Sequence, residues 1–347
     1  MNKSSVLVAM SGGVDSSTAA YLLKEKGYTV RGITMLIVDD DSARSTVEDA
    51  GRVCDYLGVE HIVVDLSKEF KDKVIDYFIK EYLRGRTPNP CVECNKHFKF
   101  SLLYDKARDL GFAFFATGHF ARIERDRSSN YLLKKGQDTK KDQSYFLYPI
   151  NRDYLGRIIF PLGDHSKEDA FNIARSNNIP FSNKGPSQDL CFVTQDNCRD
   201  FIKSNIEDLK TGEIVDREGN ILGQHAGIPF YTIGQRSGLG ISGPCALYVI
   251  DIDHENNRVI VGEKDGLKSI GLIASNLNIF NSDLRGNISA KIRYKHPPAE
   301  CRMCRIDNGR LTVMFKEDQE AITPGQSVVL YQDDVVLGGG VIEEVIR

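Results

Sequence analysis

Over the first 120 positions, short unbroken apolar runs alternate with stretches of helical spacing. Residues 6–10 are apolar throughout, the pattern of a strand buried on both faces. Residues 15–26 carry apolar or small side chains at 19, 20, 22 and 23 and stop at Gly27, which predicts a helix. The alternation continues with strands at 30–38, 61–66 and 112–117 and helices at 43–57, 68–83 and 98–110. Such a sequence predicts an α/β fold, a parallel sheet with helices on both faces. Ligands of these sheets sit at the C-terminal strand ends, here at 11–17, near 35 and at Gly118-His119.

From about 211 the pattern changes. Eight glycines between Gly212 and Gly243 predict turns and short strands. Residues 246–253 and 258–262 read as a hairpin around His254-Glu255-Asn256-Asn257. After Leu272, alternating segments at 288–294, 311–316, 326–332 and 335–342 predict a small β-barrel. Boundaries near 200 and 270 give three expected domains, 1–200, 201–270 and 271–347, which suits a chain of 347 residues. The net charge of −3 says nothing about nucleic acid. No apolar run reaches the ~20 residues of a membrane span. The N-terminus leads into a strand without room for a signal peptide, and eight cysteines do not form a secreted scaffold at this length. A cytoplasmic protein without a membrane partner is expected.

The first chemistry lies at Ser11-Gly12-Gly13-Val14-Asp15-Ser16-Ser17. Glycines without Cβ let the backbone approach an anion, and the following helix offers free N–H groups and a positive dipole end. The lysine of a Walker loop is missing. The segment resembles the SGGxDS loop of the PP-loop ATP pyrophosphatases, which split ATP into AMP and pyrophosphate.

A loop from Arg84 to Asn95, stiffened by Pro88 and Pro90, ends in Cys91 and Cys94, and Cys191 stands in Ser187-Gln188-Asp189-Leu190-Cys191-Phe192. Further along the chain come Ala116-Thr117-Gly118-His119, Lys141-Asp142-Gln143-Ser144-Tyr145 and Tyr231-Thr232-Ile233-Gly234-Gln235-Arg236. Taken in order with the glycine loop, these motifs resemble the tRNA-specific 2-thiouridylases, the MnmA/TrmU family. The resemblance implies a PP-loop (Rossmann-like) catalytic domain at 1–200, a central β-rich tRNA-contacting domain and a C-terminal barrel. It implies a tRNA-uridine 2-sulfurtransferase that adenylates the C2 oxygen of the wobble uridine and then replaces it with sulfur. ATP would lie on Ala9, Met10, Ser11, Gly12, Gly13, Val14, Asp15 and Ser16, with Met35 and Gly118 on the adenine side. Mg²⁺ would accompany the pyrophosphate, with Asp15 the nearest carboxylate. Cys191 would take up sulfur as a persulfide from a sulfur-relay protein or cysteine desulfurase. Cys94 would act as the nucleophile that releases it, leaving a disulfide. A reactive thiolate needs nearby positive charge or a helix N-terminus.

Cys91 departs from the family, many of whose members carry Asp there. It completes a C-x-x-C with Cys94, so Cys91, Cys94 and Cys191 also suit three irons of a [4Fe-4S] cluster. Sequence leaves the persulfide and cluster routes open. Two further alternatives stand: a different PP-loop ligase, which would need neither cysteine, and an RNA-binding or sulfur-carrier protein with a vestigial loop. Cys301 and Cys304 form a second C-x-x-C on an expected strand, where residues three apart point to opposite faces. They are taken as packing residues, as are Cys54, Cys198 and Cys245.

The partner implied is tRNA. Residues 285–316 hold eight Lys or Arg against two acidic residues, a local surplus suited to phosphate. Arg293-Tyr294 can pair a phosphate and stack a base. The family resemblance adds His119, Lys141, Asp142, Gln143 and Gln326 as tRNA contacts. Asn89, Pro90 and Cys91 would border the target base, flipped out of the anticodon stack.

Overall fold

A computed structural model describes residues 4–182, 190–193, 198–241 and 245–347. The described residues fall into two compact units, one drawn from 1–74, 91–194 and 334–336, the other from 75–90, 195–333 and 337–347.

In the first unit the apolar runs become β1 (Ser5–Ala9), β2 (Thr29–Leu36), β3 (His61–Asp65) and β4 (Phe114–Ala116). The hairpin β5 (Ala121–Arg125) and β6 (Tyr131–Lys135) and the short β7 (Ile158–Ile159) follow. Five strands form a parallel sheet in the order β3-β2-β1-β4-β7. Val6, Leu7 and Val8 are fully buried because β1 is flanked by β2 and β4 and covered on both faces. The chain leaves β1 for β2 on one side and returns to β4 on the other, so a crevice opens at the C-terminal end of β1.

Helix α1 (Val14–Glu25) follows β1 directly. Its buried residues include Ser16, Ser17, Thr18, Ala19 and Ala20, small enough for close packing. Thr18 Oγ1 donates to the Ala170 carbonyl at 3.0 Å, on the neighbouring helix Lys167–Ser176. Helix α2 (Asp41–Leu57) is capped by Asp40, whose side chain accepts from Ala43 N, and ends at Gly58 with φ +64°. Cys54 is a core residue against Gly32, as expected.

One expected loop is not a loop. Helix begins at Pro90 rather than near 98: Pro90–Cys94 is α-helical and Asn95–Leu103 continues it with wider, π-type turns. Proline is favoured at the first helical position because its missing N–H would be unpaired there. Cys91 and Cys94 are therefore one turn apart on a helix.

In the second unit, β8 (Gly212–Val215), β9 (Ile221–His225), β10 (Tyr248–Asp253) and β11 (Arg258–Gly262) make a four-stranded sheet ordered β10-β11-β8-β9. The expected hairpin is the antiparallel β10–β11 pair. The barrel comprises β12 (Lys268–Ile279), β13 (Ser289–Lys291), β14 (Ala299–Asp307), β15 (Arg310–Glu320), β16 (Ser327–Gln332) and β17 (Val335–Ile346). It closes through antiparallel pairing of β12 with β17. Closure removes the open sheet edges.

Within this unit the segment after Leu83 is clamped to the barrel. Thr87 N donates to the Pro324 carbonyl at 2.9 Å, and Gln326 Nε2 donates to the Thr87 carbonyl at 2.8 Å. Gly325 has φ +90°, and a Cβ there would lie 2.9 Å from Thr87 N. Arg86 pairs with Glu81, which is buried, and with Glu343. Among the described residues no helix is long and apolar enough to cross a membrane.

Candidate functional site: a glycine loop beside three thiols

The turn after β1 is shaped by two glycines with different duties. Gly12 has φ +69°, and a Cβ on it would come within 2.7 Å of Ala50 N at the α2 backbone. Gly13 has an ordinary φ of −76°, and a Cβ there would meet nothing nearer than Ser11 Oγ at 3.6 Å. Close packing therefore explains Gly12, whereas Gly13 borders open space at the start of α1. No side chain caps α1 at Gly13. Its first N–H groups and dipole thus present positive potential to an incoming anion. Ser16 Oγ accepts from Ser11 N at 3.1 Å and donates to the Gly13 carbonyl at 3.2 Å, which holds the turn in shape.

A cavity of about 290 Å³ opens over this turn. Ala9, Met10, Ser11, Asp15, Ser16, Met35 and Gly118 all line it, drawn from the ends of three strands. Gly12, Gly13 and Val14 are not among its lining residues. Gly118 is a close-approach position: a Cβ would lie 2.7 Å from Ser16 N. Asp15 is ion-paired to Lys167 at 2.6 Å.

Further polar residues complete its wall. Lys99, His119 and Gln143 join its wall, and Lys99 is a residue the sequence reading missed. In the sequence it reads as one more polar position of a helix, and only the folded chain brings it here. Lys99 Nζ lies 3.5 Å from His119 Nε2, while His119 Nδ1 lies 2.6 Å from Thr117 Oγ1. An ammonium can only donate, so Nε2 is the acceptor and Nδ1 carries the proton. Burial and the neighbouring Lys99 charge hold His119 well below its ordinary pKa, so it is neutral. Gln143 Oε1 accepts from Phe120 N at 3.0 Å.

Cys91, Cys94 and Cys191 are electrostatically coupled to one another and to Lys99. Cys94 is buried, while Cys91 and Cys191 are exposed. Desolvation pushes Cys94 up to about 11 against the opposing pull of Lys99. Desolvation, with Cys94 and Cys91 beside it, pushes Cys191 up to about 12. Cys91 is raised for the same first reason. Lys99 supplies positive charge beside these thiols, but loss of water outweighs it. Next to Cys94, the buried Asn95 donates through Nδ2 to the Phe146 carbonyl at 3.0 Å, and its Oδ1 has no hydrogen-bond partner. A buried acceptor left open costs about 1–3 kcal/mol, which a bound donor would recover. Among the described residues, no group of three or more His, Cys, Asp or Glu side chains is arranged to hold a metal ion.

The remaining expected residues are dispersed. Ser187, Gln188 and Asp189 of the Cys191 motif lie outside the described residues. Lys141 is exposed, but Asp142 is buried, accepting from Gly136 N and from the backbone and hydroxyl of Ser144. Pro88 and Pro90 are buried and Asn89 is half-buried. In the second unit, Gln326 is engaged with Thr87. Arg293 donates to the Glu320 carbonyl at 3.3 Å, and Lys291 Nζ sits 5.3 Å from the Tyr294 ring centre. Cys245 is exposed near Glu263 rather than packed in a core. Cys301 and Cys304 share one face, contrary to expectation, because a bulge interrupts the strand between them.

A glycine turn at the end of the central strand, a bare helix N-terminus and an adjoining cavity define a nucleotide-binding α/β domain. A family model described as the tRNA methyl transferase HUP domain matches residues 4–195. The tRNA methyl transferase PRC-barrel domain matches 199–263 and the aminomethyltransferase beta-barrel domain 269–342. The chain is 49% identical over 352 residues to tRNA-specific 2-thiouridylase MnmA 1 of Syntrophus aciditrophicus (strain SB), spanning 99% of this chain and 94% of that one. It is 45% identical to tRNA-specific 2-thiouridylase MnmA of Clostridioides difficile (strain 630), spanning 99% of each. The chain belongs to the tRNA-specific 2-thiouridylase family. A solved U34-tRNA thiolase NcsA from Methanococcus maripaludis is a looser likeness, at 20% identity and TM-score 0.37 over 58% of this chain and 63% of that one.

Proposed function

We propose that this chain is an ATP-dependent tRNA-uridine 2-sulfurtransferase acting on the wobble uridine. The observation that carries the reading is Lys99, which lines the nucleotide cavity and also acts on the thiols of Cys91, Cys94 and Cys191. Adenylation and sulfur chemistry need such adjacency, because the activated base must meet sulfur before water hydrolyses it.

In the first step the uracil C2 oxygen attacks the α-phosphorus of ATP and pyrophosphate leaves. The α1 N-terminus and the Gly13 turn face the departing phosphates. Asp15 and the Ser11 and Ser16 hydroxyls form a hard-oxygen setting that suits Mg²⁺, which keeps most of its ligands as water and phosphate. When bound, the ion supplies charge neutralisation, and Asp15 is the residue that would hold it.

In the second step Cys191 carries a persulfide received from a sulfur-relay protein or cysteine desulfurase. The Cys94 thiolate attacks Cys191 Sγ, the persulfide S–S bond breaks, and hydrosulfide is released as the Cys94–Cys191 disulfide forms. Hydrosulfide adds to C2, AMP leaves with the original oxygen, and an external thiol reductant reopens the disulfide. Lys99 supplies positive charge as the Cys94 proton departs. Asn89, Pro90 and Cys91 border the base, and His119, Lys141, Asp142, Gln143, Arg293, Tyr294 and Gln326 are the proposed tRNA contacts. Of these Lys141 has the best support, being an exposed cation, whereas Asp142 has little because its oxygens serve its own turn. Functional parts at 1–200, 201–270 and 271–347 and a cytoplasmic setting belong to the same proposal.

A second reading, a [4Fe-4S] cluster on Cys91, Cys94 and Cys191, is favoured by the mutual coupling of those thiols. The described residues do not fit it as they stand, since they form no metal-holding group of three.

The test uses full-length protein purified without oxygen and incubated with ATP, Mg²⁺, unmodified tRNA and a persulfide donor. Nucleosides are analysed by mass spectrometry, and pyrophosphate and iron are measured on the same sample. Cys94→Ser and Cys191→Ser should keep tRNA-dependent pyrophosphate release and make no 2-thiouridine. Thiolation that requires bound iron and fails in Cys91→Ser would transfer the argument to the cluster. Pyrophosphate release without tRNA dependence, and no thiouridine, would overturn the proposal.

A further inference from the structure

Cys301-Arg302-Met303-Cys304 lies on β14, where a spacing of three would normally send two side chains to opposite faces. The ladder with β15 slips at this point. Cys301 stands opposite Phe315, Met303 opposite Met314 and Cys304 opposite Val313. Phe315 and Val313, two residues apart, are both buried and face the same way. The extra residue at the bulge therefore turns Cys304 back to the side of Cys301.

Two consequences follow for the thiols. Both now stand on one side of the strand, each only partly buried, and the Cys301 thiol donates to the Ala299 carbonyl at 3.8 Å. On the other edge of β14, β13 pairs only with Ala299 and Glu300, so the strand beyond is not covered by β13. Cys304 lines an open surface cleft together with Asp283, Arg285 and Arg305. The surrounding stretch 285–316 holds eight Lys or Arg against two acidic residues.

We propose that Cys301 and Cys304 form a second thiol site, a dithiol that exchanges with small anionic disulfides. The site is separate in sequence and in structural unit from Cys91, Cys94 and Cys191. At the cleft itself Arg285 and Arg305 outnumber Asp283, which favours a carboxylate-bearing disulfide over a neutral one.

The exchange balances without any further reagent. The Cys304 thiolate attacks one sulfur of the disulfide, whose S–S bond breaks and releases the first thiolate. Cys301 then gives its proton to solvent and attacks the Cys304 sulfur. The mixed disulfide breaks, the second thiolate leaves, and a Cys301–Cys304 bond forms. The small molecule gains two electrons and the protein dithiol loses two. The thiols differ in access: Cys304 lines the cleft and Cys301 does not, and the Cys301 thiol is engaged with the Ala299 carbonyl. Cys304 is therefore the attacking sulfur.

The test treats reduced, folded full-length protein with oxidised glutathione, blocks remaining thiols with iodoacetamide and maps the peptides by mass spectrometry. The wild type should yield a Cys301–Cys304 disulfide. Cys301→Ser should accumulate glutathione on Cys304, and Cys304→Ser should leave Cys301 modified about tenfold more slowly. The uncharged hydroxyethyl disulfide should react several-fold more slowly than oxidised glutathione with the wild type. A wild type in which the exposed Cys245 is glutathionylated but Cys301 and Cys304 stay unlinked would overturn the proposal, and needs no variant to fold. Equal trapping on the two single variants would equally overturn it.

Discussion

Gly13→Ala should separate phosphate binding from folding. Gly13 has φ −76° and ψ 162°, which alanine adopts without strain, and the added methyl would touch only Ser11 Oγ at 3.6 Å. Restricting the unfolded chain then adds roughly 0.4–1 kcal/mol of stability, so the thermal midpoint should hold or rise by about 1–3 °C. Under the proposed function a phosphate approaches the bare start of α1, and the same methyl would stand in its way. Losing one charge-assisted hydrogen bond there costs about 1.5–3 kcal/mol, which weakens nucleotide binding roughly 10- to 150-fold. Gly12→Ala should do the reverse of preserving the fold. Its φ of +69° and the approach to Ala50 N at 2.7 Å predict destabilisation by about 2–5 kcal/mol. The assay is calorimetric titration with a non-hydrolysable ATP analogue, alongside thermal denaturation of both variants. If Gly13→Ala bound the analogue within about threefold of wild type, a threshold under 1 kcal/mol, the phosphates would not lie at this turn.

Three further perturbations probe other parts of the molecule. Cys94 should be alkylated by iodoacetamide at a rate that keeps climbing past pH 9 toward 11, and about a hundredfold more slowly at pH 8 than a thiol at its ordinary 9.0. Because folding raises this thiol, its contribution to stability is whole below pH 9 and is lost as pH rises from 9 toward 11, which pH-dependent melting would register. A rate plateau near pH 8 would contradict the desolvation account. Lys99→Met should slow Cys94 and Cys191 alkylation at pH 8, by about tenfold for each unit of lost thiolate stabilisation, and an unchanged rate would remove Lys99 from the site. Arg86→Met should destabilise the protein by about 3–5 kcal/mol in urea unfolding, since it strips the buried Glu81 carboxylate of its nearest cation. A loss below about 1 kcal/mol would show that Arg84, which also faces Glu81, suffices.

The sequence alone determined the parallel sheet and the position of its glycine turn. An apolar run such as Val6–Val8 can be satisfied only by cover on both faces, and Gly12-Gly13 followed by a helical pattern leaves the backbone few other courses. It also located the barrel, because short alternating segments must pair to hide their inner faces. Where the pattern was locally ambiguous it failed. Pro90 reads equally as a loop residue or a first helical residue, and only the surrounding packing made Cys91 and Cys94 neighbours on one helical turn. Lys99 carries no local mark, and its place between cavity and thiols depends on chain segments far apart in sequence. The ionisation of those thiols was likewise invisible, since desolvation is a property of what surrounds a group and not of its neighbours in the chain. Cys301 and Cys304 make the same point at the scale of one residue. Strand periodicity sets them on opposite faces, and a single bulge, fixed by register against β15, brings them together.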